Sequence, residues 1–221
     1  MKKLFRLSAF TLAEILVVLA IMGTIVAITL PPLKAHTDEK KFVSLTQKAF
    51  KEISEATARL EVTYGNTEFW NWTAYAPSSE ENYGGPDLVR SWYKSIMNVN
   101  PDNAVVLKTD IPYKKLDGEG IGASMRRLGT FITADGFCWQ IGGDVQNPKP
   151  YATVDVNCNQ DPNIMGIDVH SFNITNDGVV PAGTPGSTNW HGGDAWNCTA
   201  YVIKYGKMPW LNSRMTSCPS L

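Results

Sequence analysis

Between Asp155 and Asp168 the chain reads DVNCNQDPNIMGID, which places side-chain oxygens at Asp155, Asn157, Asn159 and Asp161. Oxygen-bearing residues at alternate positions in a tight loop form the donor set that a hard cation such as calcium needs, and Asp168 offers a further carboxylate. The spacing is not that of an EF-hand, whose sixth position would be glycine and whose twelfth would be glutamate. Here those positions are Gln160 and Gly166. The alternative is an Asx-rich turn, in which the same side chains bond their own backbone.

Catalytic chemistry finds less support. His36, His170 and His191 are scattered, and no serine or cysteine lies in a nucleophile motif. His170, Ser171 and Asp177 are close in sequence, but neighbours in a short strand point to opposite faces. The chain therefore reads as a non-enzyme, with calcium the one cofactor its residues suggest and none that its function requires.

The other charge with a chemical role is Glu14. Residues 10–30, FTLAEILVVLAIMGTIVAITL, carry it as their single charge. About 20 apolar residues at 1.5 Å each cover the roughly 30 Å hydrocarbon core of a bilayer. A lone carboxylate in such a segment costs about 3 kcal/mol on insertion, which calls for a cationic partner. Ahead of it lies a short leader, MKKLFRLSA, with Lys2, Lys3 and Arg6. A secretory signal would have a shorter apolar region and a small-x-small cleavage site before Pro31-Pro32, which this chain lacks.

The segment AFTLAEILVVLAIMGTIVAITLPP resembles the N-terminus of type IV pilins and of type II secretion pseudopilins. The resemblance covers about the first fifty residues and implies cleavage between Ala9 and Phe10 by a prepilin peptidase, with N-methylation of Phe10. It makes Glu14 the assembly residue, neutralising the Phe10 ammonium of a neighbouring subunit and so setting the register of a helical fibre. Gly23 and Pro31 fall where the family has residues bounding a stretch that can unwind in fibres. Two positions depart from the family pattern: Ala9 stands for the usual glycine, and Ala13 for a large aliphatic residue. Some pseudopilin heads carry calcium in a late loop, which bears on 155–168.

These residues need elements to hold them. Phe42, Leu45, Ala49, Ile53, Ala56 and Leu60 recur at three- and four-residue steps, predicting an amphipathic helix that stops near Tyr64-Gly65-Asn66. Four segments follow: a leader over 1–9, a membrane-spanning helix over 10–30, a stem helix over 31–65 and a β-rich head over 66–221. Within the head, a short helix is expected over 87–97. Hairpins are expected around Asp135-Gly136 and Asn176-Asp177-Gly178, and a late strand over Ala200–Tyr205. The fold class is α+β, a long helix packed on a small antiparallel sheet, which is also the architecture the resemblance implies.

Lys and Arg at the extreme N-terminus favour a head outside the cytoplasm, where cysteines pair. Cys138, Cys158, Cys198 and Cys218 allow three pairings, of which two local loops, Cys138–Cys158 and Cys198–Cys218, are favoured. Zinc is the rival, without a CxxC pair or a nearby histidine to support it. Without the leader, 17 basic residues face 21 acidic ones, a balance of −4 that supports no general nucleic-acid binding. The tryptophans read as core packing or as contacts with a partner. The function implied by the resemblance is a fibre subunit that is anchored in the bacterial inner membrane and assembles with itself and other pilin-like subunits. The alternative is a tethered binding domain for surface glycan, DNA or a secreted protein that never polymerises.

Overall fold

The periodic apolar run after Pro32 does form a helix, the C-terminal part of α1 (Leu12–Tyr64). The structure is a computed structural model and describes residues 11–72, 86–99, 111–125, 130–143, 150–158, 160–186, 197–213, 215–219 and 221. Ala9, Phe10 and Asn159 lie outside them. The chain divides into two units, Met1–Asp38 and Glu39–Leu221.

In the first unit every side chain from Thr11 to Leu30 is exposed. Leu12–Leu30 is long and apolar enough for one membrane span, a test that the helix of a signal sequence also passes. The helix includes Gly23, Pro31 and Pro32, residues that weaken helix continuity.

The second unit is α+β. Phe42, Ala49, Ile53, Ala56 and Leu60 are buried along the C-terminal part of α1, as the stripe predicted, joined by Val43, Thr46 and Thr57. The helix ends at Tyr64, and Gly65 turns the chain at φ 82°. Helix α2 (Pro86–Ile96) begins on proline, whose fixed φ suits a first helical position. It is tied to α1 by a 2.8 Å hydrogen bond between Thr57 Oγ1 and Tyr93 OH and by stacking of Trp92 on Tyr64.

A separate hairpin joins β1 (Ile111–Lys114) and β2 (Gly120–Met125). The main sheet is an antiparallel meander of β3 (Thr130–Ile132), β4 (Cys138–Gly142), β5 (Tyr151–Asp155), β6 (Val169–Thr175) and β7 (Gly178–Pro181), each strand beside its sequence neighbour. Both predicted hairpins are present. Their turn glycines, Gly136 at φ 90° and Gly178 at φ 107°, occupy conformations that side chains with a Cβ avoid.

Register explains the two cores. Phe131, Trp139 and Val154 are opposite one another across β3, β4 and β5, with Ile141, Ala152 and Phe172 forming the next row. All six belong to the main core with the buried α1 residues, and Phe172 stacks on Phe50 at 5.7 Å. Ile132, Cys138, Asp155 and Val169 form a row of the other parity. There Cys138 and Val169 join Tyr113, Cys158 and Met165 in a second, smaller core. An acid has been placed in an apolar row.

The late strand is a correction: residues Cys198–Tyr205 form helix α3. Val202, Ile203 and the tyrosines favour strands locally, but packing decides otherwise. Cys198 and Val202, one turn apart, are both buried, and Tyr201 lies 4.6 Å from Tyr205. Gly206 then closes the helix at φ 62°, donating its N–H to Val202 O. Trp70, Trp72, Trp139 and Trp210 are core residues, and three of them donate their ring N–H to backbone carbonyls.

Candidate functional site

The loop from Val156 to Asp168 connects β5 to β6, and it is held from four sides. The Cys138–Cys158 disulfide fastens one end to β4. Strand β1 clamps the middle, with Lys114 N donating to Asn163 O and Met165 N to Lys114 O, both at 3.0 Å. Trp210 donates its ring N–H to Gly166 O at 2.9 Å. From within, Asp168 accepts from Ile164 N at 2.7 Å and from Asn163 N at 2.8 Å, one bond to each carboxylate oxygen.

Asp155 and Asp168 are both fully buried. Asp155 Oδ1 accepts from Asn157 N at 3.1 Å, whereas Oδ2 is buried with no hydrogen-bond partner among the described residues. Burial first, then the charge of Asp168, pushes the Asp155 carboxyl up to about 8, against the pull of the Asn157 and Cys158 N–H groups. Burial likewise raises Asp168 to about 6, although the Ile164 and Asn163 N–H groups oppose it. Both carboxyls are therefore harder to ionise than a free one, Asp155 the more so.

Two further acceptors belong to this loop. Asn157 Oδ1 and Asn163 Oδ1 are buried and receive no hydrogen bond from the described residues. Asn157 turns its Nδ2 to Asp161 O at 3.0 Å, and Asn163 its Nδ2 to Asp161 Oδ1 at 3.4 Å. The amide donors are thus used and the amide oxygens left over. Asp155 Oδ2, Asn157 Oδ1 and Asn163 Oδ1 are all hard oxygens, the ligand type of calcium and magnesium. Among the described residues, no group of three or more His, Cys, Asp or Glu is disposed to hold a metal ion. A cation here would rest on two carboxylates and on amide oxygens.

The structure therefore brings Asp155, Asn157 and Asp168 into one hydrogen-bonded loop and leaves Asp161 exposed at its rim. The Asx-turn reading also has substance, since Asp155 and Asp168 both accept from loop N–H groups. Asn163 was missed by sequence reasoning, though its place after Pro162 was a signal. It sits at φ 53°, a left-handed conformation that asparagine tolerates. Tyr113, fully buried over the same row, comes from a strand some forty residues earlier and has no local signal.

At the other end of the chain, Glu14 does more than carry charge. Thr11 N and Oγ1 donate to Glu14 Oε2 at 2.8 and 2.9 Å, and Glu14 N donates to Thr11 Oγ1 at 3.3 Å. This is a capping box, and its T-x-x-E signature is present in the sequence.

His170 and Ser171 make separate bonds. His170 Nε2 lies 3.0 Å from Ile167 O, and its Nδ1 lies 3.4 Å from Thr199 Oγ1. Complete burial holds the imidazole down to about 4, so it is neutral at pH 7. Ser171 Oγ pairs with Thr153 Oγ1 at 2.9 Å, while Asp177 is exposed in the β6–β7 turn. These groups fasten β5, β6 and α3 together. Cys198 and Cys218 form the second disulfide, between α3 and the C-terminal segment. Comparison of the chain with known protein families, with curated proteins and with solved structures finds no match.

Proposed function

We propose that this chain is a structural subunit of a helical fibre drawn from the bacterial inner membrane, of the kind formed by type IV pilins and type II secretion pseudopilins. The observation that carries the reading is the helix over Leu12–Leu30, apolar on all sides and exposed throughout, with Glu14 as its only charge. Such a surface requires lipid or other apolar helices around it, which a membrane pool and a fibre core would each supply. An acid in the first turn of that helix requires a cation, and the resemblance supplies one in the Phe10 ammonium of a neighbouring subunit after cleavage at Ala9–Phe10. Attraction between the two is strong where water is excluded, and a subunit out of register leaves both charges unpaired. The chain's work in this reading is mechanical: a prepilin peptidase processes it, and other pilin-like subunits are its partners.

Calcium is the cation we infer for the 155–168 loop. Its ligands would come from Asp155, Asp168 and the amide oxygens of Asn157 and Asn163, and its charge would offset the two buried carboxylates.

Mass spectrometry of the mature N-terminus, combined with fractionation of sheared cells, tests the fibre reading. A chain beginning at methylated Phe10 and recovered in sheared fibres is expected. An intact Met1 would remove its basis. A processed chain confined to membranes would favour the tethered binding domain instead.

A further inference from the structure

We propose that the Cys138–Cys158 disulfide controls the cation affinity of the 155–168 loop, so that reduction of this bond and binding of calcium oppose one another. The inference rests on the calcium reading above and concerns its regulation.

The placement of the disulfide carries the argument. Cys138 is directly opposite Asp155 in the β4–β5 register. The bond leaves β4 at that position and returns to the chain at Cys158, three residues beyond Asp155. It therefore closes a short ring around the residue with the unpartnered buried oxygen. Cys158 sits at φ 55°, a conformation that a residue with a Cβ avoids and that persists only when its surroundings enforce it. In that conformation its N–H favours the ionised form of the Asp155 carboxyl group, beside the hydrogen bond from Asn157 N. One covalent bond thus fixes the backbone that orients both Asp155 and Asn157.

Reduction would release that constraint. A thiolate of a dithiol reductant attacks one sulfur, the mixed disulfide is resolved by the second thiolate, and the reductant leaves as its own disulfide. Two electrons and two protons then reside on Cys138 and Cys158 as thiols. Cys158 is free to relax to negative φ, which withdraws its N–H from Asp155 and turns Asn157 away. The oxygens must then be reordered whenever a cation binds, and affinity falls. Linkage makes the effect reciprocal: calcium must resist reduction by the same factor.

Cys198–Cys218 provides an internal control. It spans the same sequence separation of 20 residues, so loop length cannot distinguish the two bonds. It joins α3 to the C-terminal segment, outside the β4–β5 pairing that carries Asp155.

The test uses the full chain in detergent micelles, incubated with dithiothreitol in chelator, in excess calcium or in excess magnesium. With reduced and oxidised dithiothreitol at a fixed ratio, alkylation and peptide mass spectrometry give the reduced-to-oxidised ratio of each cysteine pair at equilibrium, and calorimetry measures calcium binding to the oxidised chain. Calcium is expected to lower that ratio for Cys138 and Cys158 roughly tenfold and to change it for Cys198 and Cys218 by less than about twofold. The double variant Cys138→Ser, Cys158→Ser should bind calcium about tenfold more weakly if it folds; the redox assay does not depend on it. An equal shift at both disulfides would mean global stabilisation and overturn the proposal. Calcium binding with no shift at either bond would overturn the linkage and leave the calcium reading standing. Absence of calcium binding to the oxidised chain would overturn both.

Discussion

Thr11 and Glu14 hold each other at the start of α1, with two bonds from Thr11 to one carboxylate oxygen and one returning from the Glu14 N–H. Glu14 thus has a local use, finishing the helix end, as well as the intersubunit use proposed for it. The two can be separated. Thr11→Ala removes the box and keeps the charge, at a cost of about 1 kcal/mol at the helix terminus. Glu14→Gln keeps an acceptor of the same reach and removes the charge. If the charge sets fibre register, Glu14→Gln should be inserted normally yet lost from sheared fibres, while Thr11→Ala is incorporated. Normal incorporation of Glu14→Gln would reduce Glu14 to a helix cap.

What could be read from residues alone was whatever they determine locally. The α1 stripe, the stop at Gly65 and the Asp135-Gly136 hairpin all rest on spacings shorter than one turn or one loop, and all are present. Ala200–Tyr205 was misread because Val202 and Ile203 favour strands, whereas burial of Cys198 and Val202 on one face, with Gly206 as the cap, favours a helix. Within the 155–168 loop the acids were visible, but their burial was not. It follows from the row Ile132, Cys138, Asp155, Val169 and from Tyr113 above it, which only the register and a distant strand create. Asn163 and the Thr11 capping box were present in the sequence but masked by stronger neighbouring signals, the acids in one case and the apolar run in the other.

A second prediction concerns pH. Lys48 Nζ lies 2.8 Å from Asp135 Oδ2, pinning the β3–β4 turn to α1, while Glu52 Oε2 one turn along is buried without a hydrogen-bond partner among the described residues. Burial, then the charge of Asp135, raises Glu52 to about 7, with Lys48 opposing. An acid raised on folding contributes stability that is complete below its unfolded value near 4.5 and is lost as pH rises through 7. Glu52→Gln removes this dependence. The urea midpoint of the variant, followed by tryptophan fluorescence, should rise relative to the native chain between pH 5 and pH 8. Parallel curves would show that Glu52 does not titrate in this window.

Two glycines test the packing around α3. Both have positive φ, 62° at Gly206 and 92° at Gly183. A Cβ on Gly206 would meet only Gln47 Nε2 at 3.7 Å, an ordinary contact. Gly206→Ala should therefore cost about 1 kcal/mol, the conformational term alone. A Cβ on Gly183 would collide with Asn197 O, which is backbone and cannot swing aside. Gly183→Ala must displace the start of α3 from β7, breaking the 2.9 Å bond from Ala200 N to Ala182 O. Chemical denaturation should show a loss several times larger than for Gly206→Ala. Equal losses would contradict this close approach.

The calcium reading predicts a stability change that one carboxylate controls. A ligand that binds only the folded state stabilises it by RT ln(1 + [L]/Kd), about 2.7 kcal/mol at a hundredfold excess over Kd. The full chain in detergent should then melt several degrees higher in calcium than in chelator. Trp139 and Trp210, buried near the loop's two ends, report the transition by fluorescence. Magnesium should not substitute, because it demands a smaller octahedral set than two fixed carboxylates and two amide oxygens allow. Asp155→Asn keeps an acceptor for the Asn157 N–H and removes the charge, so it should fold in chelator and lose the calcium increment. Asp161→Asn, at the exposed rim, should retain most of that increment. A native chain that melts identically in calcium and in chelator would leave the loop as an Asx-bonded connection, with Asp155 buried in its neutral form.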